Sequence, residues 1–485
     1  MSITTSLSNA LTGLTAASRA AEVVSNNVSN AMTEGYGRRE IVLGARTLGG
    51  LGSGVRVEGI LRDVDAAVIR DRRLADAALG ERSLTSAFLD RLGSLVGTPE
   101  DASSVSGRLA AFESALTNAA SRPDSEVRLR NVLDSATALA RTVKGVSDGI
   151  QAERAAADAD IARQVDTLNR GLQEVRDLNA QILRLGSASR DASALADQRQ
   201  RAIDQLAAIV PLREFQRDNG TVALYTTTGA ALVDGRAATI GFTRTPTITP
   251  DMTLASGALS GLTIDGKPVR TDGAFAPFAG GSLAAAFAVR DDLAVTAQAR
   301  VDGLAREIVT RFQDPGVDPS LAAGAAGLFT DGTGAFDPAN EAGLSARLGV
   351  NALADPARSG ELWRLRTGLG ATAPGTVGDA RLLTSLAAAT SAVRAPVTAA
   401  LPATGTSLPG LAAELQSLTA RDGLTAQTEL GFATARQETL AALEKRGGVD
   451  TDQEMQKLLL IEQIYAANAR VITTIDSLIN RLLEI

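Results

Sequence analysis

Two stretches of this chain, one at each end, carry apolar residues at a strict seven-residue spacing, and nothing else in the sequence limits its fold as strongly. In the first thirty-one positions Leu7, Leu14, Ala21 and Val28 form one series, and Ile3, Ala10, Ala17, Val24 and Ala31 the other. Beyond Gly447-Gly448, Leu458, Tyr465, Ile472 and Ile479 repeat at seven, interleaved with Ile461, Asn468, Ile475 and Leu482. Such a narrow seam belongs to a coiled coil. The small alanines of the first seam admit a close partner, so the two terminal helices are expected to pair with one another. The first should end near Gly35, and Asp450 or Thr451 can cap the second.

The 485 residues include no histidine and no cysteine. Thiolate nucleophiles, Ser-His-Asp relays, haem ligation and nitrogen- or sulfur-bound zinc are thereby excluded, and no disulfide can form. With 48 basic against 55 acidic side chains the formal charge is −7, and aromatic residues make up only 3%. A nucleic-acid partner is not expected, because phosphate binding needs a basic stripe and base stacking needs grouped aromatics. The N-terminal stretch has its first cation at Arg19 and is punctuated by Ser, Thr and Asn, unlike a cleaved export signal. No apolar run is long enough to span a bilayer.

Between the ends the reading is mainly α with an inserted β-rich part. Residues 41–60 read as a glycine-rich loop with a short hairpin, helical periodicity runs from 64 to 96 and near 105–120, and Ile161, Val165, Leu168, Leu172, Val175 and Ile182 keep helical spacing most clearly. After Pro211, strand-like runs at 221–225, 231–235 and 263–269 are bounded by Asn-Gly and Asp-Gly turns. Helix is expected again over 282–312, loops over 314–378, and helices near 379–393 and 408–445. The expected division is a terminal coiled-coil assembly domain (1–63 with 447–485), a helical rod domain (64–210 with 282–446) and a smaller, outer β-rich domain (211–281).

Short motifs give little chemistry. Gly145-Val146-Ser147-Asp148-Gly149 matches a nucleophile elbow, but it lies in a helical stretch of a chain without histidine. Residues 331–337 alternate oxygen donors like a calcium loop, yet Ala342 stands where the bidentate acid belongs. Arg70-Asp71-Arg72-Arg73 reads as a solvated helix face. Catalytic, cofactor and metal residues are therefore not expected. Asn26, Asn27 and Asn30 stand out more, since three asparagines near a helix end are either a terminator or a contact satisfied by another subunit.

At Ser25-Asn26-Asn27-Val28-Ser29-Asn30-Ala31-Met32-Thr33-Glu34-Gly35-Tyr36 the chain resembles the N-terminal signature of bacterial flagellar rod, hook and hook-associated proteins. Residues 449–455 and 462–476 resemble that family's other end. Gly54-Val55-Arg56-Val57, Ser121-Arg122-Pro123, Leu178-Asn179, Leu195-Ala196-Asp197-Gln198-Arg199 and Gly281-Ser282-Leu283 resemble, within it, the family of first hook-filament junction proteins. The resemblance implies a structural, extracellular part of the flagellum, exported through the flagellar type III apparatus without a cleaved signal. It implies as partners further copies in a helical array, the hook protein, the next junction protein and filament, and an export chaperone on the C-terminal region. Hook or distal rod protein is the alternative, and a secreted effector a remoter one.

The seams themselves suggest how such a subunit assembles. An isolated helix is marginal in water, so the N-terminal helix is expected to order only when covered, the two ends folding together on docking into a heterologous array. The expected assembly residues are Ile3, Leu7, Leu14, Val24, Asn26, Asn27, Val28, Asn30 and Tyr36 at one end, and Leu458, Ile461, Tyr465, Asn468, Ile472, Ile475, Ile479 and Leu482 at the other.

Overall fold

The structure, a computed structural model, describes residues 3–48, 51–187 and 191–483. Helix α1 (Ile3–Ser29) leads into an antiparallel ribbon of β1 (Arg38–Leu48) and β2 (Leu51–Asp63). Helices α2 (Ala66–Val96), α3 (Val105–Ser121), α4 (Glu126–Ser187) and α5 (Ser193–Ala207) follow. Strands β3 (Leu212–Gln216), β4 (Val222–Thr226), β5 (Ala231–Asp234) and β6 (Arg236–Ala237) form one meander, and β7 (Ile240–Gly241), β8 (Leu262–Ile264) and β9 (Lys267–Val269) a second. Helix α6 (Gly281–Ala288) passes through a π-helical turn, Val289–Leu293, straight into α7 (Ala294–Phe312). The remainder is β10 (Phe329–Asp331), α8 (Leu344–Arg347), β11 (Leu348–Val350), α9 (Arg364–Thr367), α10 (Arg381–Ser391), α11 (Leu408–Arg446) and α12 (Thr451–Leu483).

Local chemistry sets the helix ends. Asp65 accepts from the Ala67 and Val68 amides at the start of α2, Ser104 from Gly107 at α3, Ser407 from Gly410 at α11, and Asp450 from Asp452 and Gln453 at α12. Each side-chain oxygen satisfies an amide that the first turn leaves without a helical acceptor. Gly97, at φ +78°, then turns the chain out of α2 in a conformation that favours glycine.

Helix α4, 62 residues and so about 90 Å at 1.5 Å per residue, is the spine. Its first half, Leu129 to Ala157, lies in a core shared with α2, α3, α7, α10 and the first half of α11. There Phe112, Phe312 and Phe329 meet edge to face with centroids 5.2–5.7 Å apart. Its second half, Ile161 to Val175, lies in another core with α5, α6 and the two meanders. The strands after residue 211 were expected and are present, and their apolar face closes on helices, because short sheets bury one side only against another layer. Ser147 of the elbow-like motif is buried in α4, donating to Gln298 Oε1 at 3.1 Å.

Three other readings need correction. The ribbon is long, with strands of 11 and 13 residues, and residues 51–54 belong to β2, while Gly49 and Gly50 lie outside the described residues. Segment 314–378 is not mainly peripheral loop: Val317, Leu321, Leu328, Phe329, Phe336, Leu344, Leu365 and Leu369 enter the first core. Backbone amides in this segment are held by distant polar side chains, as when Asp302 accepts from Gly343 and Ser345, and Asp318 from Leu369. Burial pushes the Asp302 carboxyl above its ordinary range despite those hydrogen bonds. Asp331 of the calcium-like loop is engaged twice by Arg347, at 2.6 and 3.1 Å. Finally, only Arg70 and Asp71 of the basic run face solvent, since Arg73 is buried and Arg72 sits among Asp76, Asp204 and Glu444 at 2.5–2.8 Å.

Buried arginines tie coil to helix. From the π-helical turn, Arg290 pairs with Asp158 of α4 at 2.7 Å, donates to Ser260 O at 2.9 Å and lies over the Phe287 ring, with both charged side chains 0% exposed. Arg154 donates to the Arg290, Thr249 and Met252 carbonyls, and so fixes the long connection between β7 and β8. Removing one partner of a buried pair leaves the other charge uncompensated. Arg290→Ala should therefore cost about 3–5 kcal/mol, read as a lowered urea midpoint.

Candidate assembly interface

Helix α1 is sandwiched between α12 and the β1–β2 ribbon. Its buried residues, Ala10, Ala16, Ala17, Ala20, Val23, Val24 and Asn27, are mostly small, which lets its neighbours approach closely. At Gly13 the Asn468 side-chain amide of α12 lies 2.8 Å from where a Cβ would stand, so a larger residue there would have to displace that amide. On the ribbon side, the Val55 amide donates to Thr12 Oγ1 at 3.3 Å. Both helices are thus formed and paired in a single chain. The cover that sequence reasoning assigned to neighbouring subunits comes, for α1, from the chain's own C-terminus and ribbon.

The end of α1 is fixed by a buried polar network. Asn27, 1% exposed, donates from Nδ2 to Arg39 O and to Glu454 Oε2, both at 2.9 Å. Its Oδ1 accepts from Tyr36 Oη at 2.9 Å and from the Arg39 amide at 3.0 Å. One side chain therefore joins α1, β1 and the first turn of α12 with its amide fully used. Glu454 Oε1 receives Arg38 Nε at 3.1 Å and has Lys457 Nζ at 3.6 Å. Asp197, from α5, accepts from the Gly37 amide at 3.0 Å, Arg62 Nε at 2.7 Å and Arg39 Nη2 at 3.1 Å. Burial, reinforced by the Asp197 and Glu454 carboxylates against the opposing pull of Arg39, holds the Tyr36 phenol above its ordinary value.

The expected assembly residues fall into distinct places. Val24, Asn27 and Ile475 are buried, whereas Leu7, Leu14, Val28, Asn30, Tyr36, Leu458, Ile461, Asn468, Ile472 and Ile479 are half-buried. Ile3, Asn26 and Tyr465 are exposed, and the side chain of Leu482 lies outside the described residues. Asn27 and Tyr36 thus spend their hydrogen bonds within the chain, and Asn30 closes the helix by donating to Asn26 O and accepting from Thr33. Sequence reasoning missed Ala16, Ala20 and Val23, which continue the buried face at spacings of three and four. It also missed Glu454 and Asp197 as partners of Asn27's neighbourhood, for which no local pattern exists.

Helix α12 is covered on one side only. Met455, Leu459, Leu460, Ile464, Tyr465, Val471 and Leu478 are exposed, Leu459 and Leu460 each at 57%. A helix apolar beyond the stripe that its partner covers is a surface prepared for further contact.

The rod-protein models "Flagella basal body rod protein" and "Flagellar basal body rod FlgEFG protein C-terminal" match residues 7–36, which hold most of α1, and 445–485, which include α12. The model "Flagellar hook-associated protein FlgK helical domain" matches residues 89–318. The chain is 28% identical over 239 residues to flagellar hook-associated protein 1 of Salmonella typhimurium, covering 48% of this chain and 43% of that protein. It is 26% identical to the Escherichia coli protein of the same name over 48% and 43%, and 24% identical to that of Bacillus subtilis over 47% of each. The matched part thus spans under half the length of these curated relatives. A solved structure, the flagellar hook junction protein FlgK from Burkholderia pseudomallei, aligns with TM-score 0.45 and 16% identity over 54% of this chain and 47% of that one. The chain is thus similar to flagellar rod proteins at its two ends and, over the helical body between them, to the flagellar hook-associated protein FlgK.

Two outcomes test the network. Asn27→Ala strands the Tyr36 hydroxyl, the Arg39 amide and one Glu454 oxygen, and should cost about 1–3 kcal/mol, seen as lost hydrogen-exchange protection over the end of α1 and the start of β1. The raised Tyr36 pKa means that the unfolded chain releases this proton first as pH climbs past 10.0. Its contribution to stability therefore falls from there upward. The loss should be smaller in Tyr36→Phe, compared by urea unfolding on either side of that pH.

Proposed function

We propose that this chain is a structural subunit of the bacterial flagellum, placed outside the cell at the junction between hook and filament. The observation that carries the reading is the one-sided cover of α12: its inner face is closed by α1 while Met455, Leu459, Leu460, Ile464 and Tyr465 stand in water. In an axial array the outer face of each α12 is covered by the terminal helices of adjacent copies. The contact is heterologous, so it repeats along a helix rather than closing as a twofold dimer. At the two edges of such a layer the same faces meet the hook protein on one side and the next junction protein, leading to the filament, on the other.

The coupled folding of α1 and α12 within a subunit supplies a preformed docking element, with the ribbon bracing α1 from behind. An export chaperone covering the outer face of α12 before assembly would keep seven large apolar side chains from associating early. A hook or distal-rod role is supported less well, because two helix-walled cores along α4 and a match to the FlgK helical domain account for the middle of the chain.

The experiment is replacement of the gene in its motile source by one carrying Leu459→Asp and Leu460→Asp. Both positions are exposed, so the subunit should fold, be exported and fail to assemble. The expected cell carries hooks without filaments and sheds flagellin into the medium; full-length filaments at normal number would refute the reading.

A further inference from the structure

The unit formed by α1, the ribbon and α12 is joined to the helical body in an unusual way. Among the described residues, neither apolar core contains a side chain from α1, β1, β2 or α12. Only two short covalent links cross between the parts, Val64-Asp65 ahead of α2 and Gly447-Gly448-Val449-Asp450 after α11. Hydrogen bonds and ion pairs also cross the joint. Asp197 of α5 holds the ribbon through Gly37, Arg39 and Arg62, and Arg62 also donates to Gln200 of the same helix. Gln200 reaches on to Glu444 near the end of α11 at 3.4 Å, and Glu444 is held by Arg72 of α2 at 2.5 Å.

The body is itself polar where it meets this joint. The buried residues of α11 end at Ala426, and beyond it Glu429, Gln437 and Glu444 hold α2 through Arg82, Asp76 and Arg72. At the joint, Arg39 Nε is buried without a hydrogen-bond partner, so its guanidinium grips Asp197 through Nη2 alone. The bidentate grip open to an arginine is unused in this arrangement. Hinges between rigid parts are made of a few terminal residues that absorb the rotation, and both covalent links here have that form. Apolar cores resist such rotation because they pack in discrete ways, whereas charge pairs exchange partners over small displacements.

We propose that this joint is a charge-closed hinge: Asp197 clasps Arg39 and Arg62 to hold the terminal unit at one angle to the helical body, and loosening the clasp lets that unit turn while both parts stay folded. One subunit type could then present its terminal helices at more than one inclination. The proposal concerns the isolated chain and stands independently of where the chain assembles.

The test measures the angle as a distance. Because the chain has no cysteine, Ser18→Cys on α1 and Gln173→Cys on α4 give two unique spin-label sites, both at exposed positions. Pulsed electron-electron resonance should return one narrow distance distribution in low salt. With Asp197→Asn, a near-isosteric change, the distribution should shift or at least double in width while the circular-dichroism spectrum of the body is retained. Raising salt to about 1 M in the labelled chain without that substitution probes the same clasp, so a misfolded variant leaves the question answerable. Broadening or a shift in either arm supports the hinge. A distribution already broad in low salt, or one that stays narrow and fixed in both arms, overturns it, and Glu429→Gln, remote from the clasp, should leave the distribution as it is.

Discussion

Everything at the terminal end of the molecule depends on the first and last helices of a long chain arriving side by side, and the antiparallel register of α2 and α11 brings this about. Polar contacts record the register. Arg72 meets Glu444, Asp76 meets Gln437, Arg82 meets Glu429, Asp90 meets Gln427, and the Gly97 carbonyl meets Gln416, each step up α2 matched by a step back along α11. The entrance to α2 and the exit from α11 are thereby set at the same end of the body. Burial of α1 then needs no search by two free tails, since the closure of a very long loop has already been accomplished by the body's own packing.

Burial of α1 is also unusual in kind. Alanines contribute little apolar area each, so this helix gains mainly from close approach and from the Asn27 network at its end. That accounts for the contrast between the two seams. α1 is narrow and closes its small residues against its intramolecular neighbours, whereas α12 carries bulk on two sides and leaves one of them exposed.

The sequence made some of this legible and not the rest, for identifiable reasons. Seven-residue spacing announced both terminal helices, and the run from Ile161 to Ile182 announced the second half of α4. That α4 is one helix was obscured by Gly145, Gly149 and Gly171; in the fold, Gly149 and Gly171 make room for Leu95 and Leu206, each with a side-chain atom 2.6 Å from where a Cβ would stand. Segment 314–378 has no period because its order is imposed by acceptors far away in sequence, such as Asp302. Asn27 was conspicuous as a poor helix former near a helix end, but its partner Glu454 looks like any acid in a first helical turn. Arg72 and Arg73 read as solvent-facing because alternating charge ordinarily is; the acids that bury them come from α5, β3 and α11.

The unbroken length of α4 has one more consequence. A single rod contributes to both cores, so neither can come apart without stripping a face from the helix that stiffens the other. Twisting stress applied at the end near α5 is carried through the second core into α4 and along its axis to the cluster of Phe112, Phe312 and Phe329. The two cores are therefore coupled through one rod rather than strung as two beads.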